Sequence, residues 1–187
     1  MIEIKNVCKK YDYPVLCDIN LTIDDASIFG LIGINGAGKS TLLNMLSGVM
    51  DVDSGEILYD GEKVYENNAV KRQVFYLPDE PFFTMNTTPK NILDTYKIFY
   101  DIDYERYYQY LEKFHLPKEK SMYNFSKGMK RQVFVALALA IKPKYLFLDE
   151  TFDGLDPFAR LSLKRALIEL VDENQTTVII SSHSLLD

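Results

Sequence analysis

Gly33-Ile34-Asn35-Gly36-Ala37-Gly38-Lys39-Ser40-Thr41 sets three glycines, a lysine and two hydroxyls in a fixed register directly after the apolar run Ile28–Ile32. That register is the one a phosphate-binding loop requires. Successive backbone N–H groups must converge on phosphate oxygens, and a Cβ at the glycine positions would crowd that nest or forbid its dihedrals. A helix starting near Lys39 adds its positive N-terminal end to the same place. Lys39 can reach the β/γ-phosphates, and the Ser40 hydroxyl can ligate Mg²⁺. Asn35, Gly36, Ala37, Gly38 and Thr41 complete the cradle. The pattern predicts a nucleoside-triphosphate site.

A second constellation lies more than a hundred residues on. Tyr145-Leu146-Phe147-Leu148-Asp149-Glu150 is an apolar strand that delivers two carboxylates at its end. In parallel α/β sheets ligands sit beyond the carboxyl ends of strands, where these acids fall. Asp149 can hold Mg²⁺, directly or through water, and Glu150 can orient or deprotonate an attacking water. An acidic pair after a strand is also a common solvated strand end. Its order after the phosphate loop favours the catalytic role.

The elements that must position these groups alternate in type. Ile2–Val7 and Val15–Ile23 alternate apolar and polar residues like half-buried strands, and Tyr11-Asp12-Tyr13-Pro14 links them as a turn. Ile28–Ile32 is more continuously apolar, as in a central strand covered on both faces. Leu42, Leu43, Leu46 and Val49 give a helix from Lys39 to about Met50. Glu56–Tyr59 is a short hairpin strand, and Val74–Leu77 a strand ended by Pro78. Thr88–Tyr100 and Tyr104–Phe114 are predicted as amphipathic helices, followed by a helix from about Ser126 to Pro143. After Tyr145–Leu148 come a helix from Pro157 to about Val171 and a last strand, Thr177–Ser181. The expected fold is α/β, with a mostly parallel sheet, an N-terminal antiparallel β portion and an inserted helical subdomain. The nucleotide core would comprise residues 1–78 and 143–187, and the helical subdomain 79–142.

Composition narrows the function classes. At 187 residues, 47% hydrophobic and 26% charged, the chain suits one soluble domain with a sizeable core. A net charge of −6 argues against a nucleic-acid partner, which calls for a surplus of Lys and Arg. The longest apolar run, Val133–Ile141, has nine residues, against the roughly 20 that a membrane span needs. Cys8 and Cys17 match no metal or redox spacing and are expected to be buried, reduced thiols.

In their order along the chain these motifs resemble those of the ATP-binding cassette (ABC) ATPases. Gly33–Thr41 resembles the Walker A segment, Asp149 and Glu150 the Walker B aspartate and catalytic glutamate, and Phe125-Ser126-Lys127-Gly128-Met129-Lys130-Arg131 the ABC signature. Gly154-Leu155-Asp156 is similar to the D-loop, and Ser182-His183 to the switch-histidine segment. The resemblance implies a P-loop fold, ATP with Mg²⁺, and hydrolysis to ADP and phosphate. It implies that Tyr11 stacks on adenine, that Ser126 and Gly128 clamp a γ-phosphate, and that His183 donates to that phosphate. Ser126 is equally an ordinary helix N-cap, and Tyr11 is one of thirteen tyrosines.

Three positions depart from the family pattern. Asp79, in Tyr76-Leu77-Pro78-Asp79-Glu80-Pro81, stands where the family usually has the Q-loop glutamine, and its carboxylate can contact Mg²⁺ or the attacking water. Lys127 replaces the first signature glycine, and Thr151 a common proline. The chain ends four residues after His183, so Asp187 is not expected to be a natural terminus. The resemblance implies an ABC transporter's ATPase subunit, cytoplasmic and peripheral on the inner face of the cell membrane. Its partners would be transmembrane permease subunits and a second ATP-binding subunit, with no nucleic acid. The Phe82, Phe83, Tyr96, Phe99 and Tyr100 region lies where the family docks its membrane partner, and most of these aromatics are expected in the subdomain core. The competing classes are a soluble ABC ATPase acting on DNA or ribosomes, and a regulatory ATP-binding protein.

Overall fold

The computed structural model describes residues 1–183, so the expectation about Asp187 lies outside the described residues. The first of two sheets is antiparallel, from β1 (Ile2–Lys10), β2 (Pro14–Ile23), β4 (Ser54–Tyr59) and β5 (Glu62–Lys63) in the order β2-β1-β4-β5. The β4–β5 hairpin turns on Asp60 and Gly61, both at positive φ (50° and 88°). An Asp-Gly pair tolerates that geometry, which matches the right-handed twist of the strands it joins.

The second sheet is parallel, in the order β3-β8-β7-β6, from β3 (Ile28–Ile32), β8 (Thr177–Ser182), β7 (Tyr145–Asp149) and β6 (Val74–Leu77). Its register, with Gly30 opposite Ile180, Phe147 opposite Ile179 and Leu77 opposite Leu148, brings the carboxyl ends of β3, β8 and β7 together. The helices are α1 (Lys39–Leu46), α2 (Asn68–Lys71), α3 (Pro89–Tyr96), α4 (Tyr104–Lys113), α5 (Lys127–Ile141) and α6 (Pro157–Asn174).

Alternation along the parallel strands divides the core in two. Leu146 and Leu148 of β7 face a cluster built with α3–α6, while Tyr145 and Phe147 face one shared by α1 and the antiparallel sheet. The period of two sends successive side chains to opposite faces. The helical segment 79–142 thus shares its core with one face of the sheet.

Three expectations are corrected. Ile28–Ile32 is not covered on both faces: among the described residues β3 pairs only with β8, and Ile28 and Ile32 are 46% and 52% exposed. The strand buried at every position is β7. Continuous apolarity alone does not separate an edge strand from a central one. The α1 helix stops at Leu46 rather than near Met50, because Gly48 at φ 71° breaks it and leaves Val49 exposed. Cys17 is exposed and Cys8 half-buried, both free thiols, because the β2 alternation turns Leu16 inward and Cys17 outward.

Candidate nucleotide site

Between the end of β3 and the start of α1 the chain reverses over residues 33–38. Gly36 and Gly38 adopt φ of 83° and 90°, a region that disfavours any residue with a Cβ. At Gly38 a Cβ would also meet Leu16 Cδ2 at 2.9 Å, so glycine lets the loop lie against β2. Every other described helix has a side-chain cap: Asn67, Thr88, Asp103, Ser126 and Asp156 cap α2 to α6. Only α1 has none. Its first N–H groups are therefore offered, with the positive end of the helix, to an anion.

These donors open into a cleft of about 570 Å³ that gathers most of the sequence-predicted residues: Tyr11, Asn35, Gly36, Gly38, Lys39, Ser40, Thr41, Asp79, Glu150 and His183. Ala37, Ser126, Gly128 and Asp149 do not line it. Tyr11 is 53% exposed and its hydroxyl reaches Met50 Sδ at 3.3 Å, leaving its ring at the rim. Tyr13 and Asp153 also line the cleft; sequence reasoning assigned a role to neither, because a turn tyrosine and a loop aspartate carry no signal of their own.

At the floor, Lys39 is 7% exposed. Its Nζ donates to the Gly33 and Ile34 carbonyls at 2.7 and 3.2 Å and lies 3.0 Å from Glu150 Oε1. Two of the three ammonium donors are thus used on backbone carbonyls, and the charge faces a carboxylate. His183 Nδ1 lies 3.0 Å from Glu150 Oε2 and 3.6 Å from Asp153 Oδ2. Burial alone would raise the Glu150 pKa, but the hydrogen bonds with His183 and Lys39 outweigh it and hold the carboxyl below its ordinary value. Glu150 itself sits at φ 46°, a left-handed conformation unusual outside glycine.

Asp149 lies one residue deeper, at 2% exposure. Ser181 Oγ donates to its Oδ1, and Tyr76 OH approaches its Oδ2 at 3.4 Å. The same Ser181 Oγ accepts the Glu150 N–H at 2.9 Å, so one buried hydroxyl of β8 aligns both acids. Nothing in the sequence marked Ser181. Among the described residues no Lys, Arg or His nitrogen lies within 4.0 Å of Asp149. Buried charges are as a rule paired or metal-bound. A hard, acceptor-only oxygen donor of this kind suits Mg²⁺.

The signature-like segment starts α5. Ser126 caps it, its Oγ accepting the Met129 N–H at 3.2 Å. Gly128 is required by close approach, since a Cβ there would lie 2.4 Å from the Gly154 carbonyl oxygen. Asp79 lies on the cleft wall with its Oδ1 engaged by Lys127 Nζ at 3.1 Å and by Arg131 Nη2.

The ABC transporter family profile matches residues 16–153. The ABC transporter ATP-binding protein YtrB of Bacillus subtilis (strain 168) is 34% identical over 191 residues, covering 100% of this chain and 65% of that protein. The energy-coupling factor transporter ATP-binding protein EcfA1 of Streptococcus sanguinis (strain SK36) is 32% identical, covering 99% of this chain and 71% of that protein. A solved ATP-binding subunit of an ABC transporter is 29% identical with a TM-score of 0.88, covering 100% of this chain and 80% of that one. The chain spans about two thirds of the length of YtrB.

Proposed function

The chain belongs to the ABC transporter family, and from that premise we propose that it is the ATP-hydrolysing subunit of a transporter. The observation that carries this is one cleft holding both the uncapped start of α1 and the Lys39–Glu150–His183 cluster. Donors for phosphate and a base for water face the same space.

On this account the α1 N–H groups and the loop 33–38 bind the phosphates, and Tyr11 carries the base. Ser40 and Asp149 would hold Mg²⁺, which when bound would neutralise charge developing on the phosphate oxygens. Lys39 leaves Glu150 for the β/γ-phosphates. Glu150, relieved of that cation, becomes more basic and takes a proton from the attacking water. The water oxygen bonds to the γ-phosphorus as the bond to the β–γ bridging oxygen breaks, releasing ADP and phosphate. His183 donates to the γ-phosphate. The protein's share is positioning and electrostatics.

Ser126 and Gly128 begin α5 outside this cleft. They suit a clamp on the nucleotide of a second subunit in a two-fold, head-to-tail dimer. A separate groove of about 730 Å³ is lined by Phe82, Phe83, Tyr96, Phe99 and Tyr100 among others. Phe83, Tyr96 and Tyr100 pack on the helical core, while Phe82 and Phe99 are 88% and 64% exposed. Those exposed rings suit contact with a membrane-spanning partner. Among the described residues no helix is long and apolar enough to cross a membrane, and the chain works at the cytoplasmic face through that partner.

Phosphate release from ATP by the purified protein tests the proposal. Turnover should require Mg²⁺, vanish on chelation, and fall at least about 100-fold in Asp149→Asn. Turnover unaffected by chelation would remove the metal role from Ser40 and Asp149.

A further inference from the structure

Arg131 is the bulkiest of the fully buried side chains among the described residues, at 1% exposure. A guanidinium remains charged in a protein, and burial of a charge is tolerated only where partners meet it. Its partners come from two different loops. Nη1 donates to the Asp153 carbonyl oxygen, and Nη2 pairs with Asp79 Oδ1. Both loops touch α5 a second time: Lys127 Nζ lies 3.1 Å from Asp79 Oδ1, and Gly128 packs against the Gly154 carbonyl.

The turn that Arg131 grips is the one that carries the catalytic groups. The Asp153 N–H donates to the Glu150 carbonyl at 3.1 Å, and Asp153 Oδ2 lies 3.6 Å from His183 Nδ1. On the other side, Asp79 leads through Glu80 to Pro81 and Phe83, and Phe83 lines the aromatic groove and lies 5.6 Å from Lys130 Nζ of α5. The planar fork of arginine can serve two acceptors in different directions at once, which a lysine ammonium on the same stem does far less well.

We propose that Arg131 is a positioning residue that fixes the Glu150–Gly154 turn to the Asp79 loop, and that Asp79 is its anchor rather than a ligand of Mg²⁺. A carboxylate already facing a guanidinium and an ammonium has little charge left for a metal. This rests on the ATPase reading above, so one arm of the test does not need turnover.

Asp79→Ala, Arg131→Lys and the double variant are compared with the parent as full chains. Amide hydrogen exchange across residues 150–154 of the nucleotide-free protein should accelerate about tenfold or more in each single variant, as a tie to that turn is removed. The kcat for ATP should fall about tenfold, because small misplacements of a catalytic turn are costly. The KM for ATP and the half-saturating Mg²⁺ concentration should stay within about twofold, since cradle and metal acid are untouched. The double variant should match the more impaired single one, since each change breaks the same tie. Unchanged exchange at 150–154 in Asp79→Ala, or effects that simply add, would overturn the proposal. So would a Mg²⁺ requirement raised tenfold in Asp79→Ala, which would make Asp79 a ligand. Asp79 is on an exposed loop, so its variant decides the matter even where Arg131→Lys fails to fold. A parent without ATPase activity would sink the proposed function and leave the exchange result to judge the tie.

Discussion

Lys39 Nζ lies 3.0 Å from Glu150 Oε1, so the cation proposed to meet phosphate and the carboxylate proposed to meet water form an ion pair. The pair accounts for two things at once. With the Gly33 and Ile34 carbonyls it holds Lys39 at the cleft floor, and with His183 it lowers the Glu150 pKa. On the proposed mechanism nucleotide binding breaks it, and the phosphates replace Glu150 as the partner of Lys39.

Lys39→Ala should therefore weaken ATP binding by about ten- to a hundredfold, the scale of removing a charge-assisted hydrogen bond from a partly buried site. Titration with a fluorescent ATP analogue measures this. Affinity equal to the parent's would take Lys39 out of the phosphate site.

Tyr11 and Tyr13 both line the cleft, and only one ring needs to carry the base. Base–aromatic stacking is worth about 1–3 kcal/mol, so Tyr11→Ala should raise the ATP dissociation constant roughly five- to a hundredfold. Tyr11→Phe should change it little, because the hydroxyl points to Met50 Sδ. If Tyr13→Ala weakens binding and Tyr11→Ala does not, the base platform is Tyr13.

Asp60 gives a pH-dependent prediction away from the site. Its carboxylate receives hydrogen bonds from Lys144 Nζ at 2.7 Å and the Met1 ammonium at 2.6 Å, and its pKa falls to about 2. A depressed carboxyl pKa favours the folded state above the unfolded value of about 3.9, and the contribution disappears as pH falls through the folded value. Asp60→Asn keeps a residue that suits the positive-φ turn. Its Tm should lie about 1–3 °C below the parent's at pH 6, a small effect because the pair is half exposed. The gap should close between pH 4 and pH 2. A gap that widens in acid would mean that Asp60 is not stabilised as an anion.

Most of the candidate site was legible in the sequence because it resides in contiguous stretches. Gly33–Thr41 and Tyr145–Glu150 each carry their own strand, turn and reacting groups, and the parallel register then needs only to bring two strand ends together. What remained hidden depends on contacts between distant segments. Ser181 aligns Asp149 and Glu150 across thirty residues of chain, yet it reads as an ordinary serine at the end of a strand. Arg131 reads as one charge at the start of an apolar helix, and only packing turns it inward. Among the described residues β3 lies at the edge of its sheet, which was hidden for a related reason: an apolar run of five residues does not reveal how many neighbours its strand has.

On the proposed mechanism Glu150 takes the proton of the attacking water. Single-turnover phosphate release from Mg²⁺·ATP, compared between the parent and Glu150→Gln at saturating enzyme, tests it most directly. The amide keeps the shape and a hydrogen-bonding oxygen but cannot accept the proton. ATP affinity should stay within a few-fold of the parent's, and the hydrolysis rate should fall by about 100-fold or more, the scale of a missing general base. Hydrolysis at the parent rate would contradict it and leave Glu150 as the resting partner of Lys39 and His183 alone.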